Sequence, residues 1–304
     1  MLEKKHHEYR EKIRAFAVEQ IAPQAAQIDD EQRFPTEYLK PMAEIGLMSM
    51  LIPEDYGGQR VDTVCYSIAV EEVSRVCGST GITVAAHNSL GTFPILAFGN
   101  EEQRRKYLPR AARELVAFGL TEPDAGSDAG GTKSMARKNG DNWILNGTKC
   151  FITSASHAFA TVATARTSDD PEDKRITSFI LEKDWEGYSV GKKENKMGLR
   201  GSDTAFLHFD DVKVPAENQL GKIGEGFKQM LITLDGGRIS IGAMAVGLAQ
   251  GALDCALKFA SERVQFGKPI AHHQAIGHTL ADMATEIEAA RLLVYEASRL
   301  KDTG

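Results

Sequence analysis

The chain has 304 residues, which is enough for two or three domains that each bury a hydrophobic core. Its 36 Lys and Arg residues against 42 Asp and Glu residues give a net charge of -6, which argues against the clustered basic face of a nucleic-acid-binding protein. The four cysteines show no C-x-x-C spacing, so neither a zinc site nor a disulfide framework is predicted. We expect no nucleic-acid partner and no metal.

The beginning of the chain and its apolar runs bear on localisation. Residues 1–7 lack the apolar stretch of a secretory signal, and His6 and His7 are expected to be solvated in a polar helix. The longest run of apolar residues and glycine covers 241–249, which is shorter than the ~20 residues that a bilayer span needs. We predict a cytoplasmic protein without a membrane span.

The first 115 residues have a helical pattern, rich in Ala, Glu, Gln, Arg and Leu and broken at prolines and glycines. Helices are predicted over 66–76 and 101–108, the second with Asn100 as its N-cap. Residues 1–115 are therefore predicted to form an all-α domain.

From about Val116 the hydrophobic pattern alternates. Asn-Gly pairs at 139–140 and 146–147 fit tight hairpin turns, so 134–138, 143–145 and 149–153 are predicted to be successive antiparallel strands. Further strands are predicted over 161–167, 176–182 and 205–209. The middle domain, 116–218, is predicted to be a β-barrel or sandwich, and our choice is the barrel.

Helices return in the third domain, 219–304. A helix over about 226–260 carries Gly236, Gly237, Gly242, Gly247 and Gly251. Because a glycine inside a helix costs ~1 kcal/mol relative to alanine, we expect another helix or a ligand to approach closely, with helix packing alone as the alternative for the last three. The final helix has a heptad seam formed by Ile276, Leu280, Met283, Ile287, Ala290, Val294 and Ala297. Two long helices leave a bundle face open, so another chain or further helices are expected to cover it.

The segment Leu120 to Asp128 is dense in hydroxyls, carboxylates and turn residues, which suits a cofactor or thioester site; a surface turn is the alternative. With Phe118 and Gly119 before it, the segment resembles the flavin-binding signature of the acyl-CoA dehydrogenases. Further matches follow in the family's order: Lys149 to Thr153, Lys196 to Gly198 with Asp211 to Pro215, Leu234 to Arg238, and Arg263 to Lys268. The last two resemble the short-chain, butyryl-CoA branch. The resemblance spans most of the chain, and it implies helices beyond Gly304.

The resemblance implies an FAD-dependent enzyme of fatty acid β-oxidation that converts short-chain acyl-CoA thioesters to trans-2-enoyl-CoA. A base removes the pro-R α-proton while the β-hydrogen leaves as hydride to flavin N5, and the electrons pass to an electron-transferring flavoprotein. A homotetramer, built as a dimer of dimers, is also implied. An acyl-CoA oxidase and a base-less FAD- or CoA-binding protein remain alternatives.

The resemblance also assigns site residues by position. Cofactor contacts are implied for Phe118, Leu120, Thr121, Ser127, Phe151, Ile152 and Thr153, and, across a subunit interface, for Arg263, Gln265, Phe266 and Gln274. Substrate contacts are implied for Ser127, Asp235 and Arg238. By their residue types alone, Thr121 and Thr153 could be ordinary strand residues, and Arg238 could pair with Asp235 on one helix face.

The sequence departs from the family pattern at the catalytic base. Gly237 stands where one branch carries its glutamate, and neither the Y-E-G-T-type turn of the other branches nor an F-G-G-type turn is present. Ser154-Ala155-Ser156 replaces the usual N-G-G. We therefore expect the catalytic glutamate to lie beyond Gly304, and the 304-residue chain to bind acyl-CoA yet scarcely reduce its flavin.

Overall fold

The computed structural model describes residues 2–170, 173 and 175–304. These residues form two compact units. The helical unit comprises Met1–Gln27, Asp62–Ile82 and Arg238–Gly304, and the sheet unit comprises Ile28–Val61 and Thr83–Gly237. The boundaries after residues 115 and 218 stay a prediction.

The α-helices of both units follow the expected chain order. They are α1 (Lys4–Phe16), α2 (Ala25–Asp30), α3 (Leu39–Ile45), α4 (Thr63–Val76), α5 (Gly78–Ala86), α6 (Phe93–Phe98), α7 (Glu101–Ala111), α8 (Gly226–Glu262) and α9 (Gln274–Thr303). The predicted cap of α7 is confirmed: the N–H of Gln103 donates to Asn100 Oδ1 at 2.8 Å, and the N–H of Asn100 donates to Gln103 Oε1 at 3.0 Å. These reciprocal bonds satisfy backbone donors that a helix start leaves free.

One buried cluster of the helical unit lies between the long helices α8 and α9. Val246, Leu253 and Ile287 are buried there, and Leu280, Met283 and Val294 pack against them. The predicted seam of α9 is confirmed in this middle stretch, but Ala290 is exposed and the buried line continues instead through Tyr295 and Ser298. An open apolar face is also present, since the unit exposes Ile241, Leu248, Leu257, Leu292, Leu293 and Leu300.

The glycines of α8 have a packing reason. A methyl group at Gly247 would overlap the carbonyl oxygen of Glu71, and one at Gly251 would overlap that of Arg75, both on α4. A methyl group at Gly242 would lie 3.1 Å from a side chain of α9. Close helix packing, the alternative considered above, therefore explains these three positions.

By length and composition alone, α8 could cross a membrane. The prediction from the run 241–249 missed this because the apolar character of α8 extends over its whole length, interrupted by single polar residues. Core helices of soluble proteins can have the same length and composition. The packing of Gly247 and Gly251 against α4 gives this helix a partner inside the helical unit.

The N-terminal helix differs from expectation at His6, which was predicted to be solvated. His6 is buried in the helical unit. Its Nδ1 accepts from the N–H of Glu3 at 2.9 Å, and its Nε2 lies 3.1 Å from Asp62 Oδ2. The buried ring therefore ties the start of α1 to the residue that caps α4.

The strands confirm the predicted mostly-β middle region. They are β1 (Val116–Gly119), β2 (Met135–Asn139), β3 (Asn142–Thr153), β4 (Ala160–Arg166), β5 (Ile176–Glu182), β6 (Tyr188–Lys193), β7 (Thr204–Pro215) and β8 (Gln219–Leu220), followed by the hairpin strands β9 (Val264–Gln265) and β10 (Lys268–Pro269). The large sheet has the order β6-β7-β3-β2-β4-β5-β8, and β1 pairs parallel to β4. Among the described residues, no pairing joins the end strands β6 and β8.

The second predicted hairpin turn was wrong. Residues 143–145 and 149–153 belong to one continuous strand, β3, and the register with β7 shifts at Asn146 and Gly147 instead of reversing. Asn146 and Asp211 exchange hydrogen bonds of 2.8 and 2.9 Å across this bulge. Gly147 is required there because a side chain would overlap Ser134. Asn139–Gly140 does lead into a turn, since Asn139 pairs with Asn142.

The core of the sheet unit joins its helices to the inner face of its sheet. Ile95, Leu108 and Ala111 from α6 and α7 pack with Val116, Val162 and Ile180 from β1, β4 and β5. This layer holds β1 against the helices, and β1 leads directly into the motif that begins at Leu120.

Candidate functional site

A cavity of about 200 Å³ lies in the sheet unit where the ends of β1 and β3 meet. Six residues assigned to the cofactor by resemblance line it: Phe118, Leu120, Thr121, Phe151, Ile152 and Thr153. Its remaining wall consists of Ala86, Leu90, Val116, Ala117, Ser154 and Leu234. Apolar walls with a few hydroxyl groups are typical of sites for small molecules.

The strand β3 is irregular where it reaches the cavity. Its register with β7 shifts between Lys149 and Ile152, and the φ angles of Phe151 and Ser154 are 58° and 62°. A non-glycine residue in the left-handed region costs roughly 1 kcal/mol or more, so this geometry persists only where surrounding contacts hold it. Phe151 is 62% exposed as a result, with its ring at the cavity rim.

The hydroxyl groups of the cavity are available to a ligand. Thr121 and Thr153 are half-buried, and within the described part of the chain neither hydroxyl has a hydrogen-bond partner. Half-buried hydroxyls without protein partners can donate to and accept from a bound molecule. Together with the exposed ring of Phe151, they fit the edge and face of a flat heteroaromatic group such as the ring end of FAD.

A buried ion pair supports the cavity from behind. Lys149 Nζ lies 2.7 Å from Glu122 Oε1, and both side chains are buried. Burial alone would raise the pKa of Glu122, but the Lys149 ammonium and hydrogen bonds from Lys133 and Ser134 outweigh burial and hold that pKa below its usual value. Burial lowers the pKa of Lys149, against the attraction of Glu122. The motif's glutamate is therefore an ionised support and not a group facing the cavity.

The loop after β3 is held by Asp203, which is buried. The N–H and Oγ of Ser156 donate to its two carboxylate oxygens at 2.7 and 3.0 Å, and the N–H of Ser154 donates to its carbonyl at 2.8 Å. The Ser-Ala-Ser sequence that replaces N-G-G thus forms an ordered loop beside Thr153.

The start of β1 rests on His87, a fully buried ring. The N–H of Val116 donates to His87 Nδ1 at 3.1 Å, which places the ring proton on Nε2. That Nε2 then donates to the carbonyls of Met48 and Ala111 at 2.9 and 3.0 Å. Burial lowers the pKa of His87 to about 4, although the two carbonyls oppose the shift. The ring is therefore neutral at pH 7 and fixes one wall of the cavity.

Gly237 lies next to the part of the cavity wall that is formed by helical residues. Leu90, from the π-helical turn His87–Thr92, and Leu234 of α8 line the cavity. Gly237 is buried one turn after Leu234, and a Cβ atom there would lie 2.9 Å from Leu90 Cδ2. A side chain at position 237 would therefore meet the cavity wall, but glycine supplies no base there.

Three of the residues predicted to contact cofactor or substrate within one subunit do not line this cavity. Ser127 is exposed in the loop that follows Glu122. Asp235 and Arg238 are exposed on α8. Their predicted substrate contacts stay predictions, as does the alternative that they pair with each other.

The residues predicted to reach a neighbouring subunit lie on an exposed hairpin of the helical unit. Arg263 precedes β9, Gln265 ends it, and the turn contains Phe266, which is 94% exposed with a φ of 52°. Gln274 begins α9. None of the four lines the cavity described above.

Sequence reasoning missed some of the residues that line or support the cavity. Leu90 resembles any core leucine and carries no local signal, whereas Leu234 was noted only as the first residue of a matched motif and not as a wall of the cavity. Lys149 did carry a signal, since a lysine inside an apolar strand needs a buried partner, and Glu122 of the neighbouring motif supplies it.

Other polar clusters in the described residues fit a ligand less well. A cavity of about 580 Å³ in the helical unit is lined by several arginines, but acidic partners engage them, as in the Arg14–Glu72, Arg75–Asp254 and Arg291–Glu71 pairs at 2.8, 2.6 and 2.8 Å. The ligand atoms of His6, Asp62 and Cys65 lie within 4.8 Å of one another. A cation is disfavoured at that cluster because the Lys5 ammonium lies 2.8 Å from Asp62 and His6 Nε2 carries the ring proton.

Family models match nearly the whole chain. The model described as acyl-CoA dehydrogenase, N-terminal domain, matches residues 3–114, the middle-domain model matches 117–212, and the C-terminal-domain model matches 224–304. The matched ranges include the segments on which the resemblance was based, except that the segment Asp211 to Pro215 extends three residues beyond the middle-domain match.

Similar proteins cover the chain at high identity. The probable acyl-CoA dehydrogenase YngJ of Bacillus subtilis is 50% identical over 304 residues, which are 99% of this chain and 80% of that protein. The short-chain specific acyl-CoA dehydrogenase of Clostridium acetobutylicum is 45% identical over 97% of this chain and 78% of its own length. The structure of butyryl-CoA dehydrogenase from Megasphaera elsdenii aligns with a TM-score of 0.95 at 41% identity, over 99% of this chain and 80% of that one. A chain in the structure of the electron transferring flavoprotein of Acidaminococcus fermentans aligns with a TM-score of 0.97 at 45% identity, over 100% and 80% of the two chains.

Proposed function

This chain belongs to the acyl-CoA dehydrogenase family, and we propose that the cavity between β1, β3 and α8 is its flavin and acyl-CoA site. The protein is an FAD-dependent oxidoreductase that dehydrogenates short-chain acyl-CoA thioesters and passes the electrons to an electron-transferring flavoprotein. The observation that carries the assignment of the site is the convergence of Phe118, Thr121, Phe151 and Thr153, from two separate motifs, on one cavity.

The cavity volume of about 200 Å³ suits one end of FAD and not the whole dinucleotide. When bound, FAD supplies the redox chemistry by accepting the β-hydrogen of the thioester as hydride. The hydroxyls of Thr121 and Thr153 would bind and orient its ring edge, and the ring of Phe151 would cover one face. Leu90 and the other apolar wall residues would exclude water from the reacting carbons of a bound thioester.

The remaining site residues extend this proposal beyond the cavity. Ser127 would contact phosphate groups of FAD or CoA, and Asp235 with Arg238 would contact the substrate. Their exposure leaves them accessible to such ligands. Domain boundaries at 115/116 and 218/219 complete the proposed organisation.

We also propose that the assembly is a homotetramer in the cytoplasm. The exposed hairpin with Arg263, Gln265 and Phe266, followed by Gln274, would contact the FAD of a neighbouring subunit. A guanidinium suits that role because its planar fork can donate to two pyrophosphate oxygens at once. The exposed apolar side chains of α8 and α9 support burial of this unit in a larger assembly.

The site assignment is tested by a Thr121→Val/Thr153→Val double variant. Loss of both hydroxyls should weaken FAD binding by about thirtyfold, because each of the two lost hydrogen bonds contributes ~1 kcal/mol. The matched control is Thr161→Val, since Thr161 is a buried threonine whose hydroxyl bonds Tyr188 at 2.9 Å instead of lining the cavity. Titration of apoprotein with FAD measures both. Equal affinity of the double variant and the parent would place the flavin elsewhere.

Substrate class is tested by anaerobic titration with straight acyl-CoA thioesters from acetyl to palmitoyl, followed by flavin absorbance. We expect the tightest binding near butyryl-CoA, and tightest binding at the long end would contradict a short-chain site. Gly237 favours one alternative, an FAD- and CoA-binding protein without turnover. A Gly237→Glu variant separates the two, because butyryl-CoA should reduce its flavin anaerobically in a dehydrogenase site and leave the flavin oxidised in that alternative.

A further inference from the structure

The two edges of the cavity are connected by a side chain that does not line it. Lys149 Nζ donates to the carbonyl of Leu120 at 3.1 Å, to Glu122 at 2.7 Å and to Thr164 Oγ1 at 3.2 Å. These three oxygens account for all three N–H bonds of an ammonium group. Lys149 itself lies in the β3 ladder opposite Leu207, immediately before the bulge at Phe151.

The segment after β1 depends on this connection. Pairing of β1 with β4 ends at Gly119, so the carbonyls of Leu120 and Thr121 lie beyond that ladder. Lys149 Nζ binds the first carbonyl, and the N–H of Cys150 donates to the second at 2.9 Å. Two consecutive residues of β3 thus replace sheet pairing for the segment that carries the Thr121 hydroxyl.

Glu122 extends the connection into the rest of the motif. Its carboxylate accepts from the N–H of Lys133 at 2.6 Å and from the N–H of Ser134 at 3.2 Å, besides the Lys149 ammonium. The pair therefore closes the loop between Glu122 and Ser134 onto β3. No net charge results, and neither group reaches solvent.

Stability alone is a poor reason to bury such a pair. Removing two charges from water costs about as much as their attraction returns, and well-packed apolar residues in place of a buried pair are often neutral or stabilising. What the ion pair does provide is a fixed geometry, because the Lys149 ammonium holds the carbonyl of Leu120 at a defined distance from β3, the strand that carries Thr153.

We propose that Lys149 and Glu122 are positioning residues of the flavin site, which set the separation of the Thr121 and Thr153 edges before the cofactor binds. This inference rests on the proposed function because it concerns the same cavity. The pair acts through the backbone of Leu120 and Thr121 and touches no ligand.

The first test replaces both charges at once, in a Lys149→Met/Glu122→Gln variant, so that no unpaired charge is left buried. We expect FAD to bind about tenfold more weakly, the equivalent of losing one to two hydrogen bonds, and the vibronic structure of its absorption band to blur. The matched control is Arg291→Met/Glu71→Gln, which neutralises a buried pair at 2.8 Å in the helical unit. At equal folded fraction by far-ultraviolet circular dichroism, the control should keep the parent's FAD affinity and spectrum. Parent-like affinity and spectrum in the first variant would overturn the proposal.

If the double variant does not fold, two single substitutions that change no charge test the same proposal. Thr164→Val removes one oxygen from Lys149 without changing a charge, and Thr161→Val makes the same change at another buried position of β4, where the hydroxyl bonds Tyr188. We expect Thr164→Val to weaken FAD binding about threefold and to alter the flavin spectrum, while Thr161→Val does neither. Identical FAD affinity and spectra for the two variants would equally overturn the proposal.

These measurements separate the inference from the proposed function. They use FAD alone and need no turnover, so a flavoprotein that does not bind butyryl-CoA would refute the proposed function and leave the positioning role intact. Conversely, parent-like FAD affinity and spectrum in the Lys149→Met/Glu122→Gln variant, together with butyryl-CoA binding, would support the proposed function and refute the positioning role.

Discussion

The neutral ring of His87 makes the cavity wall sensitive to acid. Its Nδ1 accepts from Val116 and its Nε2–H donates to two carbonyls, so a second ring proton would break the bond to β1. With a folded-state pKa of about 4 against 6.5 in the unfolded chain, the unfolded state binds the proton first. The stabilising contribution of this group is therefore fully present above pH 6.5 and is lost as the pH falls toward 4.

The magnitude follows from these two pKa values. Between pH 7.5 and pH 5, linkage predicts a loss of about 2 kcal/mol in the free energy of unfolding from this one group, rising to about 3 kcal/mol at pH 4. Carboxylates titrate mainly below this window. Because Val116 lines the cavity, FAD affinity should fall over the same pH range.

Urea unfolding at pH 7.5 and pH 5 measures this loss in the parent, in His87→Gln and in His7→Gln. His87→Gln should lack the loss of about 2 kcal/mol that the His87 ring contributes. His7→Gln retains the His87 ring and should show the full loss of unfolding free energy. His157, whose pKa burial also lowers, is present in all three proteins and cancels in the comparison. The same pH dependence of the unfolding free energy in the parent and in His87→Gln would refute the assignment. If His87→Gln does not fold, the nuclear magnetic resonance signal of His87 in the parent must titrate near pH 4.

Three further predictions concern other positions. Gly237→Glu places a carboxylate next to Leu90 at the cavity wall, so reduction of the flavin by butyryl-CoA should be about 10² to 10⁴ times faster than in the 304-residue parent; equal rates would show that the base comes from elsewhere. Gly247→Ala gains ~1 kcal/mol of helix propensity but overlaps the Glu71 carbonyl, so we expect a net loss of about 1 to 2 kcal/mol in urea unfolding, and a stabilised variant would contradict the packing. Arg263→Ala should weaken FAD binding about tenfold without changing the thermal midpoint of the apoprotein, and unchanged affinity in a FAD titration would exclude its role at a neighbouring subunit's cofactor.

Sequence reasoning succeeded where structure depends on neighbouring residues. Asn100 could be identified as a cap because its partner Gln103 is three residues away. The order of the three regions, helical, mostly β and helical, followed from hydrophobic periodicity, which is a local property of each helix and strand. The Thr121 and Thr153 segments could be marked from their local motifs, and both do line the cavity.

It failed where the outcome depends on a partner distant in sequence. Asn146–Gly147 has the composition of a hairpin turn, yet it forms a bulge because β7 supplies Asp211 across from it. His6 looked like a solvated residue of a polar helix until Asp62 came within 3.1 Å of its ring.

The sequence by itself therefore determined the fold class, the family and two segments that line the cavity. Only the tertiary structure decided which residues complete it: Leu90 and Leu234 as walls, His87 beneath β1, and Lys149 as the connection between its two edges. The physical reason is that hydrophobic periodicity and helix capping depend on residues close together in the sequence. Burial and the pairing of charged groups depend on how distant segments pack together.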